Sequence, residues 1–179
     1  MKKSIFVIIF LCFLPSLCEA QIKRNFDGIV IGVSNKNEVI NYARKNWLSY
    51  YNKDGGERIV VLDESGNSIF FAGYNWDAID FSFCDGVVYK VRYVMANSGR
   101  KVRDYHKYDK IFENIQKNLI NKYSSNKSQA LKTESYKIKD KKTQVEISLL
   151  HENRSHYLIL NYFDINLSLK RSKKFINDL

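Results

Sequence analysis

The residues of this 179-residue chain with the clearest capacity for chemistry are three histidines, His106, His151 and His156. His151 and His156 flank a four-residue connection between two predicted strands, so their imidazoles could face each other across a hairpin. With Glu152 they could bind a metal, but two histidines and one exposed carboxylate make a loose site with no evident residue to orient the imidazoles. We therefore interpret both as solvated loop histidines, and we predict no metal and no cofactor.

Other catalytic arrangements have little support in the sequence. Cys84 falls at the end of a predicted strand beside a tight turn, and nothing places a histidine there to lower its pKa. No Gly-x-Ser-x-Gly elbow is present. Asp77, Asp80 and Asp85 could suggest paired carboxylates, but Asp80 alternates with apolar residues and is expected on the solvated face of a strand, while Asp85 is explained by its turn. We predict no catalytic residues and a protein that is not an enzyme.

Segment 73–77 (Gly-Tyr-Asn-Trp-Asp) has the best potential for binding. It is predicted to break the run of strands, and loops that interrupt a rigid scaffold often carry binding groups. An exposed tyrosine and tryptophan would suit contacts with protein or sugar. Tyr74, Trp76 and Asp77 are therefore the candidate binding residues. The alternative is that Trp76 plugs one end of the core.

Residues 1–20 have the pattern of a secretory signal peptide. Two lysines follow the initiating methionine, an apolar run covers Ile5–Leu17, and small residues precede the predicted cleavage point after Ala20. The run is too short to span a bilayer. Lipid attachment through Cys18 is disfavoured, because the bulky Leu17 precedes it.

The exported product is predicted to be residues 21–179, in the periplasm or outside the cell, without a transmembrane segment. Its single cysteine, Cys84, excludes an internal disulfide and is expected to be buried. The fold must therefore depend on its hydrophobic core. The abundance of Lys, Asn, Ile and Tyr suggests an AT-rich, bacterial coding sequence.

The chain is basic, with 29 Lys and Arg against 19 Asp and Glu, and a formal net charge of +10. The positive residues are spread through segments 100–110, 132–142 and 170–174, as on a solvated surface. A clustered patch would instead favour an anionic polymer or lipid. Nucleic acid is not expected for an exported protein. The hydrophobic fraction of 45% can build a core and excludes wholesale disorder.

Helical periodicity predicts three helices, over residues 35–49, 104–123 and 166–178. The first begins with a capping box in which Asn35 is the N-cap and Glu38 its partner, and its buried face includes Trp47. Residues 124–129 form a polar linker after the second helix. The third segment has features of both a strand and a helix, and we predict a short helix.

Strand patterns fill the intervals between the helices. Four strands are predicted after the first helix, and their strongest signal is the Asp85-Gly86 pair between two alternating runs, which predicts a type I′ hairpin. Three more are predicted in segment 132–163. The predicted fold is a single α+β domain with the order α-β4-α-β3-α, an antiparallel sheet and helices on one face. Residues 33–96 and 104–165 are possible repeats of one unit.

Two short segments carry a resemblance to known exported domains. Segment 32–34 (Gly-Val-Ser) leads into segment 37–39 (Asn-Glu-Val), and segment 83–87 (Phe-Cys-Asp-Gly-Val) falls in the predicted sheet. This pattern resembles the small domains like β-lactamase inhibitor protein and the small lipoproteins of the outer-membrane assembly machinery. The element order is also similar to that of many uncharacterised secreted bacterial proteins. The resemblance implies a non-catalytic module that binds other proteins across its sheet.

We therefore expect an exported, non-catalytic binding module of the bacterial envelope with a protein partner. Two alternatives remain open. One is a cationic binder of an anionic surface polymer or lipid, and the other is a hydrolase with an unrecognised site. The sequence does not specify an oligomeric state.

Overall fold

A computed structural model of the protein describes residues 21–63, 69–98, 105–123, 134–152 and 155–177. The predicted signal peptide, the predicted linker at residues 124–129 and the turn predicted over residues 64–67 lie outside the described residues. Within them, the helices are α1 (Lys36–Lys45), α2 (Tyr105–Tyr123) and α3 (Ile165–Asn177), and a short 3-10 turn covers Asp54–Gly56. The strands are β1 (Asn25–Phe26), β2 (Ile29–Val30), β3 (Ser49–Lys53), β4 (Arg58–Leu62), β5 (Ile69–Phe71), β6 (Tyr74–Trp76), β7 (Ala78–Cys84), β8 (Val87–Ser98), β9 (Ser135–Lys139), β10 (Thr143–Glu152) and β11 (Ser155–Asp164).

Seven of these strands form one antiparallel sheet in the order β3-β4-β7-β8-β11-β10-β9. The predicted α+β class with an antiparallel sheet is therefore confirmed. The predicted order α-β4-α-β3-α is wrong in detail. Two short strands precede α1, and six strands rather than four separate α1 from α2, because β3 (Ser49–Lys53) and β6 (Tyr74–Trp76) were not predicted as strands.

Both halves of the sheet run from an edge towards the centre. After α1, the large-sheet strands proceed from the edge strand β3 to β8, and after α2 they proceed from the edge strand β9 to β11. The two last strands pair with each other in the middle of the sheet. The proposed repeat boundaries at residues 33–96 and 104–165 remain a prediction.

One face of the sheet carries the core. Alternate residues along each strand point to the same side, and in register they form continuous apolar rows, such as Ile147, Leu160, Tyr93, Ile79 and Val61 on successive strands. Helices α1 and α2 cover this face, whereas α3 contributes no side chain to the core cluster. In the described part of the chain, no helix is both long enough and apolar enough to cross a membrane.

Helix α1 begins as predicted but ends earlier. The Asn35 side chain accepts hydrogen bonds from the backbone of Asn37 and Glu38, and Glu38 reaches back to the Asn35 backbone, which completes the capping box. The prediction that Trp47 lies on the buried face is wrong. Trp47 has a φ of 56° and is 83% exposed, and the chain turns there so that Leu48 packs inward instead.

The β7–β8 hairpin is confirmed as the direct pairing that Asp85-Gly86 predicts. Both turn residues have positive φ, 50° at Asp85 and 80° at Gly86, as a type I′ turn requires. A bulge between Ser82 and Phe83 shifts the register, so the predicted alternation fails near the turn. Val88 is fully buried there, although the predicted alternation places it on the face of β8 that points away from the core.

Candidate functional site

The extra hairpin formed by β5 and β6 projects one aromatic side chain into solvent. Its tight turn uses Ala72 and Gly73, both at positive φ. Successive residues of a strand point to opposite sides, so Ile69 and Phe71 pack into the core while Phe70 between them is 65% exposed. The break in the run of strands predicted at segment 73–77 is wrong for Tyr74 to Trp76, which form strand β6.

Trp76 anchors this hairpin from inside rather than presenting its indole at the surface. It is 2% exposed, and its Nε1–H donates to the carbonyl oxygen of Phe71 at 3.0 Å. Its ring lies 5.5 Å from that of Tyr93, which also stacks on Phe71 at 4.3 Å. The alternative weighed from the sequence, that Trp76 fills one end of the core, describes its position. The indole of Trp76 is therefore not available at the surface.

The other two candidates, Tyr74 and Asp77, do come together at a surface cavity. The cavity measures about 360 Å³ and lies between the hairpin and the first turns of α2. Asp77 is exposed, and its Oδ2 accepts a hydrogen bond from the backbone N–H of Ala96 at 2.6 Å. The full lining comprises Phe70, Gly73, Tyr74, Asn75, Asp77, Met95, Lys107, Tyr108 and Ile111.

A second cavity of about 410 Å³ lies on the other side of Phe70. Its apolar part is formed by core side chains and by α2. The ammonium groups of two lysines lie over aromatic rings. Lys23 Nζ lies 5.2 Å from the ring centroid of Phe71, and Lys122 Nζ lies 5.2 Å from that of Tyr123. The lining residues are Lys23, Asp27, Phe70, Phe71, Ala72, Ile115, Asn118, Leu119, Lys122, Tyr123 and Tyr162.

We call the two cavities together the α2 groove, because one face of α2 borders both. The α2 residues that line them recur at helical spacing from Tyr108 through Ile111 and Ile115 to Leu119 and Tyr123. At 1.5 Å per residue this face is about 22 Å long, which matches about seven residues of extended chain. Each cavity alone is within the size range of ligand sites.

The groove includes a buried tyrosine whose phenol has a shifted pKa. Burial raises the pKa of the Tyr162 phenol, and the neighbouring Tyr123 adds to this, so the phenol stays protonated at neutral pH. Its described lining contains no histidine and no cysteine. Among the groove residues, the sequence indicates Tyr74 and Asp77 as candidates, but not Phe70 or the residues of α2. Phe70 was hidden inside an apolar strand, where only the pairing of β5 with β6 shows which side is exposed.

A charged cluster lies on the opposite face of the sheet. Asp80 is 2% exposed, so the prediction that it lies on a solvated face is wrong. Arg58 donates to both Asp80 oxygens, through Nε at 3.1 Å and through Nη2, and Arg92 donates to Oδ2 at 2.7 Å. The hydrogen bond to Asp80 raises the pKa of Arg58. Burial lowers the pKa of the nearby Lys90, and Arg92 lowers it further.

Two of the histidines lie together on paired strands, whereas Cys84 lies at the end of β7. His151 and His156 are register partners on β10 and β11, with ring centroids 4.5 Å apart and their Nδ1 atoms in contact. Groups of three metal-binding side chains are absent from the part of the chain that the structure describes. Cys84 is buried, as predicted, and burial raises the pKa of its thiol, with Asp85 contributing. A protonated thiol is a poor nucleophile.

Comparisons with protein-family models, with curated proteins and with solved structures found no match for this chain.

Proposed function

We propose that this protein is an exported, non-catalytic module that binds a segment of another protein in the α2 groove. The observation that carries this proposal is the exposed Phe70, which stands between two cavities that share one helix face. A large aromatic side chain at the centre of a concave surface is typical of a binding hot spot. The segment it binds would lie along α2.

The chemistry of the groove supports a peptide ligand of mixed character. Its floor is apolar and aromatic, which suits side chains that insert at alternate positions of an extended chain. Its rim carries both signs of charge, with Lys23, Lys107 and Lys122 against Asp27 and Asp77. Such a rim favours a particular register and orientation of the ligand over uniform attraction to any polyanion.

The resemblance to exported inhibitor-like domains supports a protein partner but not the surface used. It implies contact across the sheet, whereas α1 and α2 cover the apolar face of this sheet. We therefore place the contact at the groove beside α2. Export itself rests on residues 1–20 and is part of the proposal.

Photo-crosslinking in cells tests this proposal. The photoreactive residue p-benzoylphenylalanine is introduced at Phe70 or Tyr74, and in matched controls at Val33 or Glu113. Both controls are exposed and line neither cavity. We expect the same adduct with a single protein from positions 70 and 74, identified by mass spectrometry, and no such adduct from the controls.

A binding measurement with a variant then distinguishes a specific contact from crosslinking after random collision. Phe70→Ser should weaken binding of the identified partner segment to the purified protein by about tenfold, since hot-spot truncations cost 1–2 kcal/mol or more. Unfolding by urea should be unchanged, because Phe70 is largely exposed. Identical adducts from all four positions, or full binding by Phe70→Ser, would show that the groove is not the binding site.

A further inference from the structure

Helix α3 lies against β7, β8 and β11 but outside the hydrophobic core. Asp164 begins it by accepting a hydrogen bond from the backbone N–H of Leu167 at 2.9 Å, but none of its residues joins the core cluster. Two ion pairs hold it to the end of the sheet. Arg171 donates to both Glu57 oxygens, through Nη1 at 2.8 Å and through Nη2, and Lys170 pairs with Asp85 in the β7–β8 turn.

Three large apolar side chains of α3 are exposed. Leu169 is 57% exposed, Phe175 64% and Ile176 66%. Leu169 and Ile176 lie seven residues apart, so they share one helix face, and Phe175 lies on the neighbouring side, one helical turn after Arg171. We call Leu169, Phe175 and Ile176 the α3 stripe. Three exposed large apolar side chains within two turns are more than the scattered exposure that any soluble surface shows.

The same helix is strongly cationic. Its thirteen residues contain Lys170, Arg171, Lys173 and Lys174 and no acidic residue. Within the described ranges, the ion pairs of α3 are those of Lys170 and Arg171. Lys173 and Lys174 are both exposed, and Lys173 lies one helical turn after Leu169. Lys174 lies one turn after Lys170, and together with it lowers the pKa of the Asp85 carboxyl. A basic helix with an exposed apolar stripe is the pattern of helices that lie in the interface of an anionic membrane.

The adjacent end of the sheet adds to the positive charge. The backbone N–H of Ile165 donates to the carbonyl of Lys142 at 2.9 Å, which places the exposed Lys141 and Lys142 of the β9–β10 turn at the start of α3. The acidic groups at this end are already engaged. Asp140 accepts three backbone N–H groups, and Asp54 pairs with Arg58 at 2.9 Å.

We propose that α3 docks this protein on an anionic lipid bilayer, with the α3 stripe inserted between headgroups and the lysines against lipid phosphates. Charge complementarity favours this occupant, because a protein groove would have to desolvate cations that a headgroup layer leaves partly hydrated. The docking element is an amphipathic helix, as interfacial docking requires. It shares no lining residue with the α2 groove, so the two proposals can fail separately.

Hydrogen–deuterium exchange read by mass spectrometry tests this proposal with a local signal. The full chain is mixed with vesicles of equal parts phosphatidylglycerol and phosphatidylcholine, or with phosphatidylcholine alone. We expect peptides from residues 165–177 to exchange more slowly with the anionic vesicles and not with the neutral ones. High salt should reverse the protection. Because peptides are read separately, any insertion of the apolar residues 1–20 is distinguished from docking by α3.

Two pairs of variants provide matched controls. Lys173→Glu with Lys174→Glu should weaken the α3 response about tenfold or more, whereas Lys110→Glu with Lys117→Glu, the same charge change on an exposed side of α2, should weaken it far less. Phe175→Ser with Ile176→Ser should also remove it, whereas Phe70→Ser should not. Circular dichroism checks that each variant keeps its helices.

Three results would overturn the proposal. The first is equal protection by neutral vesicles, and the second is an unchanged response after charge reversal at Lys173 and Lys174. The third is protection of α3 without vesicles, rising with protein concentration together with a dimer in light scattering, which would assign the α3 stripe to a second copy of this chain.

Discussion

At the scale of single residues, Asp80 is the clearest case of a side chain whose partners come from neighbouring strands. It lies in a cross-strand row of polar side chains on the face opposite the core, formed by Lys137, Glu146, Asn161, Arg92 and Asp80 on successive strands. Lys137 pairs with Glu146 at 3.2 Å, and Arg92 with Asp80 at 2.7 Å. Cross-strand pairs of opposite charge stabilise a sheet, and like charges opposite each other destabilise it.

Replacing Asp80 by Asn should lower the free energy of unfolding by about 2 kcal/mol, because two arginines would lose the nearly buried carboxylate that they share. Urea unfolding followed by circular dichroism measures this loss. The matched control is Asp85→Asn, which removes an exposed carboxylate whose partner is Lys170, and it should leave the midpoint unchanged. A similar midpoint for the two variants would show that the cluster is not stabilising.

The sequence predicts which face of the sheet Asp80 lies on, but not its ion-pair partners. Alternation along β7 places Asp80 and Phe81 on opposite faces, which the structure bears out. It does not reveal that β4 and β8 bring Arg58 and Arg92 to the same carboxylate, because that depends on register between strands. For the same reason the exposure of Phe70 could not be read from its apolar neighbours, and the burial of Trp76 remained one of two alternatives.

At the scale of elements, the sequence predicts a feature well when all of its interactions lie within a few consecutive residues. The capping box of α1 and the Asp85-Gly86 turn are formed as predicted, because each depends only on its own side chains and backbone angles. The end of α1 was missed, because the apolar Trp47 continues the helical period although the chain leaves the helix there. Strand β6 was missed because Gly73 and Asn75 look like a break, whereas they belong to a tight hairpin.

The N-cap of α1 can be tested directly. Asn35→Ala should destabilise the protein by about 1 kcal/mol, because the backbone N–H groups of Asn37 and Glu38 lose their acceptor. Asn37→Ala is the matched control, since it makes the same substitution two positions later, inside the exposed first turn. Thermal unfolding should show a lower Tm for Asn35→Ala alone, and equal values for both would argue against a capping contribution.

At the scale of the whole molecule, the partly buried Asp140 and the buried Asp164 tie the segment that starts at Gln21 to the far half of the chain. Asp140 accepts the backbone N–H of Ile22 at 2.8 Å, and Asp164 pairs with Arg24 at 2.6 Å. Burial alone raises the pKa of each carboxyl. For Asp140 the three backbone donors outweigh it, and for Asp164 the hydrogen bonds from Arg24 and the start of α3 do so, leaving both pKa values below the ordinary range.

A lowered pKa in the folded state means that protonation favours unfolding. The contribution of Asp140 and Asp164 to stability is therefore present above the ordinary carboxyl pKa of about 4 and lost as the pH falls through their lowered values. Urea midpoints should decline in this acidic range. Asp140→Asn should reduce the decline, whereas Asp109→Asn at the start of α2 should not change it. An identical acid profile in wild type and Asp140→Asn would contradict this account.

The α2 groove is formed by segments from the whole length of the molecule. The sequence therefore predicts only some of its residues. Its walls come from the β1 region, the β5–β6 hairpin, α2 and β11, which are separated by long stretches of chain. Composition and periodicity predict the elements and the class of fold. They do not predict which exposed surfaces converge, because convergence depends on how the hairpin and α2 pack over the same sheet.

The pairing of β8 with β11 in the middle of the sheet also governs how quickly the chain can reach this structure. This ladder joins Lys90 to Phe163 and Ser98 to Ser155, so its hydrogen bonds form between residues that are remote in sequence. The hairpins on either side require only short loop closures and can form in microseconds. Bringing their last strands together costs much more chain entropy before any contact compensates for it. We therefore expect the meeting of the two halves to limit the folding rate, and substitutions at this seam, such as Leu160→Ala, to slow refolding more than equally destabilising changes in β9.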